Sequence, residues 1–489
     1  MNSQLPQVAQ KKCMNACWCV LPLIMAVLLF FFFRTVITPW MVSVLAIVSY
    51  SVMIGTWASI SKRIDFYVVF LLCTYLFYYG KYLLILIDRK GYYNDLTTYF
   101  GADFLNEVSL FILSCILVMH MSFLIFTIQL YGKRKIKGTL DKFYINKSGI
   151  EIVAWGMFIA SFTFTIMILL TNIQNTQQYG YAYALEAYYS GHRVERFFSN
   201  FLPGAFILLI LTYKNTSKIK YIVMLLGVYV VLYFASGSRL QAILLLVTIA
   251  IVYEWEFKHI TKSGLAKMGM GALLLSFLLV TVSGIRNNIQ NASSFLDIIK
   301  SIQANFVSDN FLIKLINECG FQINSIAIVI DKCPSAMSFN YGLTYLKGIG
   351  QLMPNLFWSQ NPFMQESTDT LFAPYLNGGT FGIGSSYIAE AYYNFGGFSI
   401  IFMIVIGGAF ALYQRNLNDT YRRKNNFLAK YLYLSIPTYA LFYVRSDAVG
   451  FLRSFTYQSF IPCIAIIIMS TALRRKGMQS RDCKAGVIK

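Results

Sequence analysis

The sequence predicts an all-α integral membrane protein, a bundle of about twelve membrane-spanning helices with one large, partly helical segment on its outer side. Three observations carry that expectation. Of 489 residues, 57% are hydrophobic and 17% aromatic, while only 13% are charged, a balance unlike that of soluble domains. Apolar runs such as LLLVTIAIVYEW and FSIIFMIVIGGAFALY recur from one end of the chain to the other, and a soluble fold would have to hide them all. The basic residues gather in short loops, so the formal charge of +20 reflects orientation in a membrane, not nucleic-acid binding.

The first span, 18–36, follows Lys11 and Lys12 and has no small-residue cleavage site after it, so it is expected to be retained. Further spans fall at 40–60, 66–87, 104–131, 150–171, 198–212, 219–235, 239–255 and 268–285. These nine spans make up residues 1–285. Residues 286–394 are the large outer segment, of mixed polarity with amphipathic stretches, ending in a polar-striped helix that re-enters the membrane. Residues 395–489 supply spans at 395–413, 427–444 and 454–472 and a basic tail. With the N-terminus inside, the inner segments hold 26 of the 41 Lys and Arg residues and the outer ones 13. Every short basic cluster, from SKR at 61–63 to RRKGMQSR at 474–481, then lies inside, as the positive-inside rule requires.

The outer charges stand against that bias, and most are arginine, the side chain suited to bidentate grip on phosphate or carboxylate. Arg193 and Arg196 in YYSGHRVERFFSN, with His192 and Glu195, precede the sixth span. Arg239 precedes LQAILLLVTIA, and Arg453 precedes SFTYQSFIPCIAIII. Each of these helices would start at the outer surface, where unpaired N–H groups and the positive dipole end favour an anion. Arg286 and Arg445 join the ring from the ends of the ninth and eleventh spans. Snorkelling to lipid phosphates or capping of carbonyls accounts equally well for any one of them, but anchoring alone gives no reason to avoid lysine. The set suits a multiply charged ligand such as a pyrophosphate.

The segment LMPNLFWSQNPF, with Trp358 and Asn361, is rich in aromatic and amide groups that suit a carbohydrate. Further on, Ser386, Glu390 and Asn394 recur every fourth residue in GSSYIAEAYYNFGG and form a polar stripe, with Tyr392 nearby. An ionisable group at such a depth needs a partner or a wet cavity. Glu390 is the first candidate general base, with Glu366, Asp369 and His192 behind it; a structural Glu390 paired to an outer arginine is the competing reading. The scattered cysteines show no zinc pattern, and no metal site or cofactor is expected. Cys319 and Cys333 are either free or joined in a disulfide.

The ordered patches RFFSNFLPG (196–204), ASGSRLQAILL (235–245), LMPNLFW with NPF (352–363), GGTFGIGSSYIAEAYYNFGG (378–397) and the pair Arg445 and Arg453 resemble those of the bacterial O-antigen polymerase family, the Wzy type. The likeness extends over about residues 150–470. It implies a GT-C-like glycosyltransferase bundle in the bacterial inner membrane with its active site on the periplasmic side. It also implies undecaprenyl-pyrophosphate-linked oligosaccharide as both donor and acceptor, the growing chain moving onto the non-reducing end of a new repeat unit. On matching positions, Arg196, Arg239, Arg445 and Arg453 would hold the lipid-linked pyrophosphate, and a chain-length regulator is an expected partner.

The chemistry agrees with that resemblance. Attack on an anomeric carbon through an oxocarbenium-like transition state expels a pyrophosphate whose growing charge arginines can stabilise. No Asp-x-Asp pair points to metal-assisted departure. Two alternatives compete: a twelve-span carrier, such as a flippase for the same lipid, and an O-antigen ligase. The charges gather at the outer surface and not at mid-membrane, which disfavours a carrier. The related ligases carry a functional histidine in the large outer segment, and residues 286–380 contain none.

Overall fold

The computed structural model describes residues 4–32, 37–61, 63, 65–131, 143–179, 193–236, 240–261, 264, 271, 311–352, 363, 367–377, 383–422 and 426–486. Among these residues the regular structure is helical, with no strand. The first half forms α1 (Gln4–Phe32), α2 (Pro39–Ser61), α3 (Phe66–Leu86), α4 (Lys90–Thr97), α5 (Ala102–Tyr131) and α6 (Lys147–Tyr179). It continues with α7 (Arg193–Ser199), α8 (Leu202–Tyr213), α9 (Ile219–Ala235) and α10 (Leu240–Glu256). The long segment contributes α11 (Phe311–Gly320), α12 (Ile323–Lys332), α13 (Leu343–Gly350), α14 (Thr368–Leu371), α15 (Ala373–Asn377) and α16 (Tyr387–Phe395). The last helices are α17 (Ser399–Arg422), α18 (Phe427–Ala440), α19 (Ala448–Phe455) and α20 (Ile461–Gly486).

Nine helical stretches among the described residues are long and apolar enough to cross a membrane. One of them, Leu312–Lys332, lies in the segment expected as an outer loop. The expected span at 268–285 falls outside the described residues, apart from Gly271. Cys319 and Cys333 are both free thiols.

Two groups of helices pack side by side. In the first, α5 lies against α1 and α17, and α3 lies between α2 and α11. Glycine sets the closeness of the last contact: a Cβ on Gly80 would stand 2.8 Å from the Ile316 carbonyl oxygen and 3.1 Å from Gly320 Cα. The backbones of α3 and α11 therefore almost touch, the small-residue packing that membrane helices use where burial alone gives no drive. The long segment is thus built into the bundle through α11 on α3 and α12 on α16. In the second group α6 carries α7, α8 and α20, while α10 packs on α18. The groups join along α17 and α18 and at α19.

Two helix starts differ from the expected ones. Arg453 does not precede the last span: the helix begins five residues earlier at Ala448, and Arg453 sits in the last turn of α19. The reason is local. Asp447 caps this helix by accepting the Gly450 N–H at 2.9 Å, a stop–start signal that a hydropathy window ignores. Arg196 lies on α7, and the apolar α8 begins only at Leu202; together they form the span-length stretch Val194–Tyr213, with Arg196 in its first turn. Arg453 lies beyond the first turn of its own stretch, Ala448–Arg475.

Candidate functional site

The polar stripe expected on one helix is present as α16. Ser386 caps it by accepting the Ala389 N–H at 3.0 Å, and Ser386, Glu390 and Asn394 are all buried, at 0–1% exposure. The stripe faces α13 and α19. Asn394 donates through Nδ2 to Thr344 Oγ1 at 2.7 Å and to the Glu390 carbonyl at 2.7 Å, while its Oδ1 accepts the Gly342 N–H at 2.9 Å. Gly342 has φ of +86°, a left-handed conformation that glycine adopts without strain. Asn394 is therefore committed to holding the start of α13.

Among the described residues, Glu390 pairs with no arginine. Its Oε2 accepts the backbone N–H of Ala448 at 2.7 Å. With Asp447 on Gly450, two protein carboxylates take up N–H groups of the first turn of α19, a place where the helix dipole favours negative charge.

Arg445 and Arg453 bracket this turn. Arg445 is exposed at the end of the 3-10 turn Phe442–Arg445, and that turn is tied to α3 by the Tyr78 hydroxyl, which donates to the Val444 carbonyl at 2.8 Å. The Arg453 guanidinium donates to Gln351, to its backbone oxygen at 3.3 Å and its side-chain Oε1 at 3.0 Å. Gln351 in turn donates to the Phe363 carbonyl at 2.8 Å. Among the described residues, no carboxylate stands within ion-pair distance of Arg445 or Arg453.

A third carboxylate, Asp369, accepts the Gly384 N–H at 2.5 Å; Gly384 has φ of +77°, again a glycine conformation. Burial pushes the Asp369 carboxyl above its usual range, and the Gly384 N–H and the Arg445 charge pull it part of the way back. Burial also raises Asp447; the Gly450 N–H and Arg453 oppose that shift, and Asp369 adds to it. Asp369, Asp447, Arg445 and Arg453 thus share one electrostatic neighbourhood.

The segment after Arg196 reaches the same region through aromatic contacts. The Phe197 and Phe201 rings lie 5.4 and 5.3 Å from that of Tyr457, one turn beyond Arg453, so the segments carrying Arg196 and Arg453 run side by side. The side chain of Arg193, at the first residue of α7, is outside what is described. Tyr392 points elsewhere, its ring packed 5.4 Å from Phe111 and 6.1 Å from Phe339. His192, Arg239, Arg286, Trp358, Asn361 and Glu366 lie outside the described residues. Sequence reasoning missed Asp447, Thr344 and Gln351. The Asp in SDAVG is a cap signature legible in the sequence, whereas nothing local announces Gln351 as the partner of an arginine 102 residues away.

No curated protein and no solved structure matches the chain. The family profile described as O-antigen polysaccharide polymerase Wzy matches residues 18–476, which includes every helix around the arginine site. The chain is a multi-pass membrane protein belonging to the O-antigen polysaccharide polymerase Wzy family.

Proposed function

We propose that this polymerase transfers the growing glycan from undecaprenyl pyrophosphate onto the non-reducing end of a newly delivered undecaprenyl-pyrophosphate-linked repeat unit, at the periplasmic face of the inner membrane. The observation that carries the reading is the pair Arg445 and Arg453, set beside buried carboxylates yet with none of the described carboxylates in ion-pair contact. Among the described residues their charge is positioned without a direct ion pair, which leaves it for a polyanionic leaving group. Arg196 adds a third guanidinium through the Phe197–Tyr457 contact, and Arg193, Arg239 and Arg286 complete the proposed set by sequence position.

In the transfer, the acceptor hydroxyl attacks the anomeric carbon, the bond to the pyrophosphate oxygen breaks, and the leaving oxyanion takes its charge onto the arginines. The hydroxyl proton passes to a base as the new glycosidic bond forms; Glu390, Glu366, Asp369 and His192 are the sequence candidates for that step. Pyrophosphate is a good leaving group once its charge is met, so arginine serves where other glycosyltransferases use a metal. A chain-length regulator is a proposed partner.

Deleting the gene and running the surface polysaccharide on a silver-stained gel tests this directly. Collapse of the long ladder to a single repeat unit, restored by wild type and not by expressed Arg453→Ala or Arg196→Ala, supports the reading. Loss of even the single-unit band points to a carrier or ligase, and an unchanged ladder sinks the proposal.

A further inference from the structure

We infer that Glu390 is a positioning residue for the arginine site and not its proton acceptor: its carboxylate fastens the start of α19 and so sets where Arg445 and Arg453 stand. The inference rests on the reading that those arginines receive the pyrophosphate.

The carboxylate is buried and bonded inside the protein. Glu390 is 1% exposed, and its Oε2 accepts from Ala448 N at 2.7 Å. One turn along the same helix, Asn394 donates to Thr344 Oγ1 and to the Glu390 carbonyl, each at 2.7 Å, so one face of α16 holds both α13 and α19. A base must lie within hydrogen-bond reach of the proton it removes, and this oxygen is already committed to a helix start.

What this face controls is the arginines. Arg445 lies three residues before Ala448, and Arg453 five residues after it, so the anchored N–H sits between them. Arg453 also holds Gln351, just past the end of α13, while Asn394 holds Gly342, just before its start. The α13 helix is therefore tied to the Glu390 network at one end and to the arginine at the other. Releasing Glu390 lets the first turn of α19 move and shifts both guanidinium groups together.

The two roles make opposite demands on a conservative substitution. Glutamine keeps an acceptor oxygen for the Ala448 N–H, and gives up the negative charge, one acceptor oxygen and the ability to take a proton. The test uses full-length protein in lipid vesicles with lipid-linked repeat units extracted from a polymerase-deletion strain, measuring kcat and KM for wild type, Glu390→Gln, Glu390→Ala, Thr344→Val and Arg453→Ala. Glu390→Gln is expected to keep both constants within about threefold, and Glu390→Ala to raise KM roughly tenfold with a smaller loss in kcat. Thr344→Val should shift KM in the same direction by less. Should Glu390→Ala fail size-exclusion analysis as misfolded, Glu390→Gln decides alone.

A fall in kcat of about a hundredfold or more for Glu390→Gln at unchanged KM overturns the inference, because that is the signature of a lost base. So does a folded Glu390→Ala with wild-type KM. Arg453→Ala separates the two ideas: wild-type polymerisation by that variant removes the pyrophosphate assignment itself, whereas an inactive Arg453→Ala beside a kcat-deficient Glu390→Gln removes only the positioning role of Glu390.

Discussion

Glu390 and Glu256 are both buried carboxylates among basic residues, and they sit at opposite ends of the bundle. α17 runs 24 residues between their surroundings, about 36 Å: Tyr421 near its C-terminus donates to Glu256, and Glu390 lies on α16 just before its start. The Glu256 side chain, 2% exposed, also accepts from Lys214 and pairs with Lys430 at 3.3 Å. Beside it the Arg63 guanidinium lies 4.9 Å over the Trp255 ring. At that end cations are consumed by a carboxylate, joining α8, α10, α17 and α18. At the other end, among the described residues, the carboxylates are taken up by backbone N–H groups, and Arg453 and Arg445 are left to a neutral glutamine or to the surface. The same residue types build a clasp in one place and an anion receptor in the other, and what differs is whether the acid is spent on a cation or on a helix start.

Substitutions can break that contrast from either side. The largest effect is expected for Arg453→Ala, which should reduce polymerisation about 100-fold or more, as loss of a preorganised charge donor does, with thermal unfolding in detergent little changed. Arg453→Lys should restore only a small part of the activity, because an ammonium cannot contact both oxygens of Gln351 and an anion in one plane. Comparable activity in the lysine variant would mean that Arg453 supplies charge alone.

Glu256→Ala should do the reverse. It removes the acid from Lys214 and Lys430, which should cost about 2–4 kcal/mol of stability while leaving KM for the lipid-linked substrate near wild type. A raised KM with unchanged stability would contradict the division of labour drawn between the two ends.

The joint between the helix groups offers a smaller effect. Gly204 on α8 approaches the turn after α19 so closely that a Cβ would stand 2.9 Å from Gln458 Cα and 2.9 Å from the Tyr431 hydroxyl. Gly204→Ala should destabilise by about 1–3 kcal/mol, read as a lowered Tm.

The smallest effect concerns pH. The Asp369 carboxyl is raised in the fold by burial, so the folded state holds its proton to higher pH than the unfolded chain does. Stability from this group is therefore lost as pH rises from the unfolded value through the folded one. Asp369→Asn keeps an acceptor for Gly384 and should flatten that loss. An identical pH dependence in the variant would show that Asp369 does not contribute to it.

Much of this fold was legible because hydropathy is local. The spans at 40–60 and 66–87 differ from α2 and α3 by a residue or so, and the Ser386, Glu390, Asn394 stripe follows from helical spacing alone. The arginines stood out as candidates because they violate a charge bias. What stayed hidden depends on long-range contact. The docking of α11 against α3 rests on two glycines, Gly80 and Gly320, far apart in the chain, and the role of Glu390 depends on Ala448, 58 residues away. Hydropathy also misplaced the start of the last helix, since a cap is a hydrogen bond and not a matter of polarity.

Between α19 and α20 the helix widens into a π turn at Thr456–Phe460, with Tyr457, Gln458 and Ser459 buried. A π turn amounts to one residue inserted into an α-helix, and a helix advances about 100° per residue. Removing that residue would wind α19 about its axis relative to α20 and carry Arg453 away from Gln351 without altering any side chain of the site. This segment is therefore keyed by its length as well as by its buried side chains: a deletion of one residue should silence the enzyme by phase alone.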